Sequence, residues 1–563
     1  MSRNVLKSSI HSASINIVFQ IMSRCITFGI NSFVIRIVDR EALGIMNVRL
    51  LLLEGSLAFL SREAIRRATL SSTANPHEKH IWPHIINQLW LSLPIYCIFS
   101  GPCLYIWFNQ SIFGSPIADE LYDQYKFGCI CIVVSGIIEL LAEPQVFVAQ
   151  VFCFVKLRVV LDTLHIFVRS TLFIALVLRD PNQAIFAFSI AQVGSTATFA
   201  IGYYVYFIYY INRLNEVKGD KKHAADKTDD GLTTDEKKPE SDDSIPFNSI
   251  KQMLPGYLEN SGTIFNENLQ TLVLSFFKQG FLKQVLTEGE KYVMTISPIM
   301  TFSQQATYDI VNNLGSLAAR FVFRPIEENS YFYFTQTLSR DIPLKQHSRE
   351  KIEQASSVLY NLLKVVTSIG LIGMVFGQSF AKTVLTLYGG SRFVEDDGLS
   401  VILLRWHAVA IILLAINGIC EAYMFAAMTS TELDRYNYHM GFLSVTFLFL
   451  SYQLTSFFGP VGFILANCTN MFLRIIFSGI YIRTQYQSVD LKPLDGIIPN
   501  KLFAITLTVL GITCIISENR LFRHSILAHV VVGAICFACT AGVWAYENRT
   551  LIRSYILKRG KSL

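Results

Sequence analysis

Apolar runs long enough to cross a bilayer recur along almost the whole chain, and no other feature restricts its fold as strongly. A membrane span needs roughly 20 mostly apolar residues, and the runs between charge clusters supply about fourteen of them within 563 residues. In lipid every backbone N–H and C=O has to be satisfied internally, which leaves helices and closed barrels. Runs of this length read as helices. Charged residues make up 16% of the chain, against about 25% in soluble domains. The expected fold is therefore an all-α polytopic membrane protein of about 14 transmembrane helices.

The first six spans are expected near 15–37, 43–61, 84–108, 127–144, 157–178 and 184–211. Eight more follow near 262–282, 293–323, 353–377, 400–428, 438–458, 461–482, 500–517 and 525–546. Between the two groups the composition changes abruptly. From Arg213 to Asp243 there are seven Lys/Arg and ten Asp/Glu, a net charge of −3, with almost nothing to bury. Such a stretch reads as a disordered tether. The sequence thus divides into an N-terminal lobe of six spans (1–212), an acidic linker (213–250), a C-terminal lobe of six spans (251–484), and two additional spans with a basic tail (485–563). Pro298 and the Gly370, Gly373, Gly377 series interrupt the apolar pattern and are expected to bend helices around a cavity. With the N-terminus inside, cytosolic loops other than the linker hold about 22 Lys/Arg and the opposite loops about 9, the asymmetry of the positive-inside rule. Both termini and the linker are expected to be cytosolic.

Several function classes lose support. The net charge of +6 sits mostly in loops, and no basic, aromatic-interleaved soluble domain is present to hold nucleic acid. The eleven cysteines lie in or beside apolar segments, which suits free thiols better than a disulfide framework. No phosphate-binding glycine loop, dinucleotide fingerprint or clustered His/Cys metal pattern appears, so no cofactor, metal site or catalytic constellation is proposed. Residues 1–14 lack a cleavable signal pattern, and the first span is expected to act as its own insertion signal.

What remains is a set of cations inside or beside the spans. The segment NVRLLLLEGSLAFLSREAIRRA (47–68) carries Arg49 and Glu54 and closes on Arg62, Glu63, Arg66 and Arg67. Arg62 and Arg66 share one helix face, and Glu63 with Arg67 forms an i,i+4 pair on a neighbouring face. Arg24, Arg36, Arg320, Arg405 and Arg474 fall in or at the ends of other spans. Intramembrane charges are functional candidates by default, and guanidinium groups fork onto phosphate oxygens while staying charged. Arg24, Arg36, Arg62, Arg320 and Arg474 are accordingly the candidate residues for an anionic, diphosphate-like substrate. The acids Glu54, Glu139, Glu143 and Glu421 lie within spans and can pair with some of these arginines. Arg62-x-x-x-Arg66 and Arg320-x-x-x-Arg324 close the second span of each lobe, which suggests an internal repeat.

LSREAIRRA (60–68), LTEGEKYVM (286–294), YDIVNNLGSLAARFVFRPIEE (308–328), INGICEAYMFAAMT (416–429) and VGFILANCTNM (461–471) together resemble the eukaryotic Rft-type family of the endoplasmic reticulum, over essentially the whole chain. That family is similar in fold to the multidrug, oligosaccharidyl-lipid and polysaccharide exporter superfamily. The resemblance implies two lobes around a central cavity that opens alternately to each side of the membrane. It also implies movement of a dolichol-diphosphate-linked oligosaccharide precursor of N-glycans from the cytosolic to the lumenal leaflet, with an accessory role in N-glycosylation as the alternative. Other glycosylation-pathway membrane proteins are further partners under either reading. By analogy with the related bacterial lipid flippases, cavity arginines of spans one, two and eight fall on Arg24, Arg62 and Arg320.

Overall fold

The computed structural model describes residues 28–73, 81–109, 116–225, 245–256, 267–297, 299–338, 344–395, 398–487, 489–550 and 553. Among these residues there are helices and turns and no β-strand, as a backbone that must satisfy itself in lipid requires. Internal contacts divide the chain into two compact units, Met1–Ser303 and Gln304–Leu563.

The first unit contains α1 (Phe28–Ile37), α2 (Arg40–Ser72), α3 (Trp82–Phe108), α4 (Asp119–Leu141), α5 (Glu143–Val151), α6 (Val155–Arg179), α7 (Ala184–Ala225), α8 (Glu267–Thr287) and α9 (Gly289–Ile296). Helix α7 packs along α6 and α4, α2 lies against α4, and α8 packs on the C-terminal part of α2. Helix α10 (302–337) begins with the last two residues of the first unit and continues into the second, followed there by α11 (Arg349–Gly389), α12 (Leu399–Ala427), α13 (Ser430–Phe458), α14 (Val461–Gln487), α15 (Lys501–Leu521) and α16 (Ile526–Glu547). Here α14 packs along α13 and α12, and α10 lies against α12. The pairing pattern of the first unit therefore recurs in the second. The last two helices pair with each other, and α15 rests on α11.

Eleven helices among the described residues are long and apolar enough to cross a membrane. They match eleven of the expected spans. Of the other three, the first is described only as the short apolar helix Phe28–Ile37. The remaining two are α8 and α10, which are helical but polar: α8 carries Gln270, Lys278 and Gln279, and α10 carries Gln304, Gln305, Asp309, Asn312, Asn313 and Arg320. Helices of that composition face protein or water rather than lipid.

Three sequence expectations are corrected. Residues 213–225, read as disordered, continue α7 as helix: charge removes an apolar face but does not break an i→i+4 ladder. The rest of the acidic stretch, 226–244, lies outside the described residues. Beyond it, residues 245–256 form a strap on the first unit, although 251 onward was expected with the C-terminal lobe. Ile245, Phe247 and Met253 are buried in a core with Trp82, Phe147 and Phe207, and Phe247 meets Trp82 edge-on at 5.1 Å between ring centroids. The strap is pinned by Trp90 Nε1 donating to the Met253 carbonyl (2.8 Å) and by the Gly256 N–H donating to Asn87 Oδ1 (2.8 Å). Finally, the glycines at 370, 373 and 377 do not interrupt α11, which runs unbroken from Arg349 to Gly389. They allow close helix approach instead, since a Cβ at Gly370 would lie 3.1 Å from Ile412 Cα on α12. Pro298 lies outside the described residues.

Helix α2 contains two π-helical turns, Ile45–Leu50 and Phe59–Glu63, and α10 contains one, Ala319–Phe323. The second turn of α2 includes Arg62 and that of α10 includes Arg320. Both members of the suggested repeat thus put the first arginine of the pair in a widened turn, a feature often found at functional sites.

Candidate functional site

The second half of α2 presents Arg62 and Arg66 to the C-terminal end of α4 and the start of α5. Arg66 binds Glu143 bidentately, Nε to Oε1 at 2.6 Å and Nη2 to Oε2 at 2.7 Å. Arg62 donates to Glu139 Oε1 and lies 3.9 Å from Glu143 Oε2. The partners advance together by four residues on each helix, so α2 and α4 run in the same direction, as a second and a fourth span must. The two pairs differ in wetting. The Glu143 side chain is 2% exposed, whereas Glu139 is 31% exposed and Arg62 21%. The arginines are about equally exposed, at 23% for Arg66 and 21% for Arg62, so the difference lies in the carboxylates: Glu143 is buried and Glu139 is partly exposed. Glu63 and Arg67 form the expected i,i+4 pair at 2.6 Å.

Arg49 sits deeper, with 0% exposure. Its guanidinium lies 5.0 Å from the centre of the Phe302 ring, and its carbonyl accepts from Trp107 Nε1 at 3.0 Å. It serves packing at one end of α2. Nearby, the Ser56 and Tyr292 hydroxyls share a 2.9 Å hydrogen bond that ties α9 to α2.

The second unit is built around Glu421. Both of its oxygens take a hydrogen bond from Arg474 at 2.6 Å, Tyr436 donates to Oε1 at 2.8 Å, and Asn417 donates to Oε2 at 3.1 Å. Gly418 leaves room for Glu327, whose Oε2 would lie 3.0 Å from a Cβ placed there. The RPIEE and INGICEAYM motifs meet at this point. A further clamp joins Arg405 of α12 to Glu518 of α15, with Nη2 at 2.9 and 3.1 Å from the two carboxylate oxygens; Arg405 Nε also donates to the Gln378 carbonyl at 2.9 Å. Beside it a groove of about 540 Å³ is lined mainly by apolar side chains, including Val375, Trp406 and Ile515. The sequence reading named Arg405 but passed over Glu518, which falls one residue beyond the expected end of its span.

The candidate arginines therefore do not form one uniform set. Arg474 spends its fork on Glu421. Arg62 is held by an accessible carboxylate. Arg320 is exposed and donates to Asn313 Oδ1 at 3.3 Å, with no carboxylate in reach among the described residues, while Arg324 pairs with Glu328 one turn on. Arg36 is exposed on α1. Arg24 lies outside the described residues. Sequence reasoning missed Gln192, Arg169 and Tyr436, polar residues whose partners come from other helices. All ten cysteines among the described residues are free thiols, and no cluster of three or more His, Cys, Asp or Glu side chains suited to a metal occurs there.

Comparison with known proteins places this architecture. Residues 8–558 match the family model described as Rft protein. The Man(5)GlcNAc(2)-PP-dolichol translocation protein RFT1 of Drosophila melanogaster is 51% identical, covering 98% of each chain. Proteins of the same name from Xenopus tropicalis and Mus musculus are 39% and 37% identical, covering 99% and 100% of this chain and 98% of their own. Among solved structures, the Lipid II flippase MurJ in its inward closed conformation aligns with a TM-score of 0.59 over 95% of this chain and 100% of its own, at 11% identity. That similarity shows a shared fold. A full-length family match, close relatives aligned end to end and a two-unit helical bundle agree: the chain belongs to the Rft protein family.

Proposed function

We propose that this protein translocates a dolichol-diphosphate-linked oligosaccharide from the cytosolic to the lumenal leaflet of the endoplasmic reticulum membrane. The observation that carries the reading is the end-to-end alignment with relatives named for that activity, at up to 51% identity. The chemistry of the chain supports it. A diphosphate needs cations that keep their charge when water is withdrawn, and arginine supplies them with bidentate geometry. Arg320, which has an amide and no carboxylate partner among the described residues, and Arg62, on the partly exposed Glu139, are the residues assigned to the diphosphate, joined by Arg24 and Arg36. Arg474 is assigned to holding α14 against α12, because its hydrogen-bonding edge is already filled by Glu421. Each unit has a helix, α8 or α10, whose polar side chains suit contact with hydrated sugars, and the dolichol chain stays in lipid. Both termini are assigned to the cytosol.

The test is reconstitution of the purified chain in liposomes carrying labelled lipid-linked oligosaccharide, with an external glycosidase as reporter. The enzyme should convert nearly the whole pool rather than the outer-leaflet share. Arg320→Ala and Arg62→Ala should each slow conversion by about tenfold or more, the equivalent of one lost charge-assisted contact. Folded protein that leaves the inner pool untouched would count for an accessory role instead.

A further inference from the structure

The acids within the bundle are treated unequally. Glu139, Glu143, Glu421 and Glu518 each hold an arginine. Glu54, at the middle of α2, does not. No lysine or arginine nitrogen comes within ion-pair distance of it among the described residues, and the hydrogen bond it accepts comes from a neutral group, Gln192 Nε2, at 3.0 Å to Oε1.

The orientation of that amide is fixed from behind. Arg169 Nη1 lies 3.3 Å from Gln192 Oε1, and because a guanidinium can only donate, the amide oxygen must face Arg169 and the amide NH2 must face Glu54. Gln192 is itself 2% exposed. Arg169 thus gives its hydrogen bond to Gln192 rather than to Glu54, and acts on Glu54 from beyond ion-pair distance. The other groups facing Glu54 include no ion-pair partner among the described residues, and Arg62 acts on it only from a distance. Glu139 of α4 carries the same charge, Arg62 of its own helix is engaged by Glu139, and the Tyr96 hydroxyl of α3 is turned to the Ile132 carbonyl at 3.4 Å.

A carboxylate among packed helices with a neutral hydrogen-bond donor and no ion-pair partner is costly, and acquiring a proton is the direct way to remove the cost. A metal ion is a poorer fit, because the neighbouring amide presents hydrogens and not oxygen. We propose that Glu54 is a proton-binding site of this protein: a proton from water bonds to Oε2, the oxygen that Gln192 leaves open, and Glu54 becomes a neutral acid still accepting from Gln192 through Oε1. Glu54 is then the group through which proton uptake and release accompany the working cycle of the first unit.

The measurement is infrared difference spectroscopy on the purified full-length chain in lipid nanodiscs, stepped in pH in water and in D2O. The wild-type protein should show the carbonyl stretch of a neutral carboxylic acid, shifted in D2O. That band should be lost in Glu54→Gln, displaced in Glu54→Asp and kept in Glu139→Gln. If the glutamine variant fails to fold, displacement of the band by Glu54→Asp decides. A band unmoved by both substitutions, or no such band at any pH where the protein stays monodisperse, overturns the proposal. The spectrum needs no substrate, so it stands or fails independently of the translocation reading. Loss of translocation in Glu54→Gln without the spectral change also counts against the proton site.

Discussion

Arg66 and Arg62 look alike in sequence, one helical turn apart with acids spaced to match, yet their removal should have opposite consequences. Arg66→Ala leaves Glu143, whose side chain is 2% exposed, without its two charge-assisted hydrogen bonds of 2.6 and 2.7 Å. Among the described residues the only other cation within 4 Å of it is Arg62 at 3.9 Å. Stranding one member of a buried pair costs about 3–5 kcal/mol, and 4 kcal/mol is a shift of roughly a thousandfold in the folded population. Arg62→Ala leaves Glu139, which is 31% exposed against 2% for Glu143, so its cost should be clearly smaller than that of Arg66→Ala. Unfolding of the purified protein by SDS in mixed micelles, followed by tryptophan fluorescence, measures the difference. The double variant Arg66→Met/Glu143→Leu should recover most of the loss, because a buried pair replaced by apolar groups of similar size is often neutral. Arg62→Ala should remain folded but translocate poorly. The reasoning is refuted if Arg66→Ala costs no more than Arg62→Ala, or if the double variant is as unstable as the sum of its single changes.

Arg474→Lys should not rescue Arg474→Ala in the same unfolding assay, since an ammonium cannot reproduce the two 2.6 Å bonds to Glu421; Tyr436→Phe should cost about 1.5–3 kcal/mol as a lost hydrogen bond to a charged group. Phe247→Ala removes a fully buried ring from the core under the strap and should cost about 3–5 kcal/mol. It should also make residues 245–256 cleavable by a protease to which the wild-type strap is resistant.

The sequence by itself determined that this chain is a bundle of membrane helices, and it drew attention to embedded arginines and to the acids Glu54, Glu139, Glu143 and Glu421, though not to Arg169 or Glu518. Apolar runs and embedded charges are one-dimensional properties. A run of about 20 apolar residues is a helix in lipid wherever it packs, and an intramembrane arginine is conspicuous without any knowledge of its neighbours. The i,i+4 pair Glu63–Arg67 was legible for the same reason, because its geometry belongs to one helix. Contacts between helices were not. Arg62 and Arg66 find acids 77 residues away, Arg474 finds Glu421 across 53, and Arg405 finds Glu518 across 113. No spacing rule operates over such distances. The strap was hidden for a related reason: Ile245, Phe247 and Met253 are three apolar residues in a polar stretch, with no period to betray the surface they bury against. Only the tertiary structure separated the arginines clamped by carboxylates from those that are not and left Glu54 without an arginine at ion-pair distance among the described residues, because the pairing of a buried charge depends on which neighbouring helix brings the opposite charge within a few ångströms.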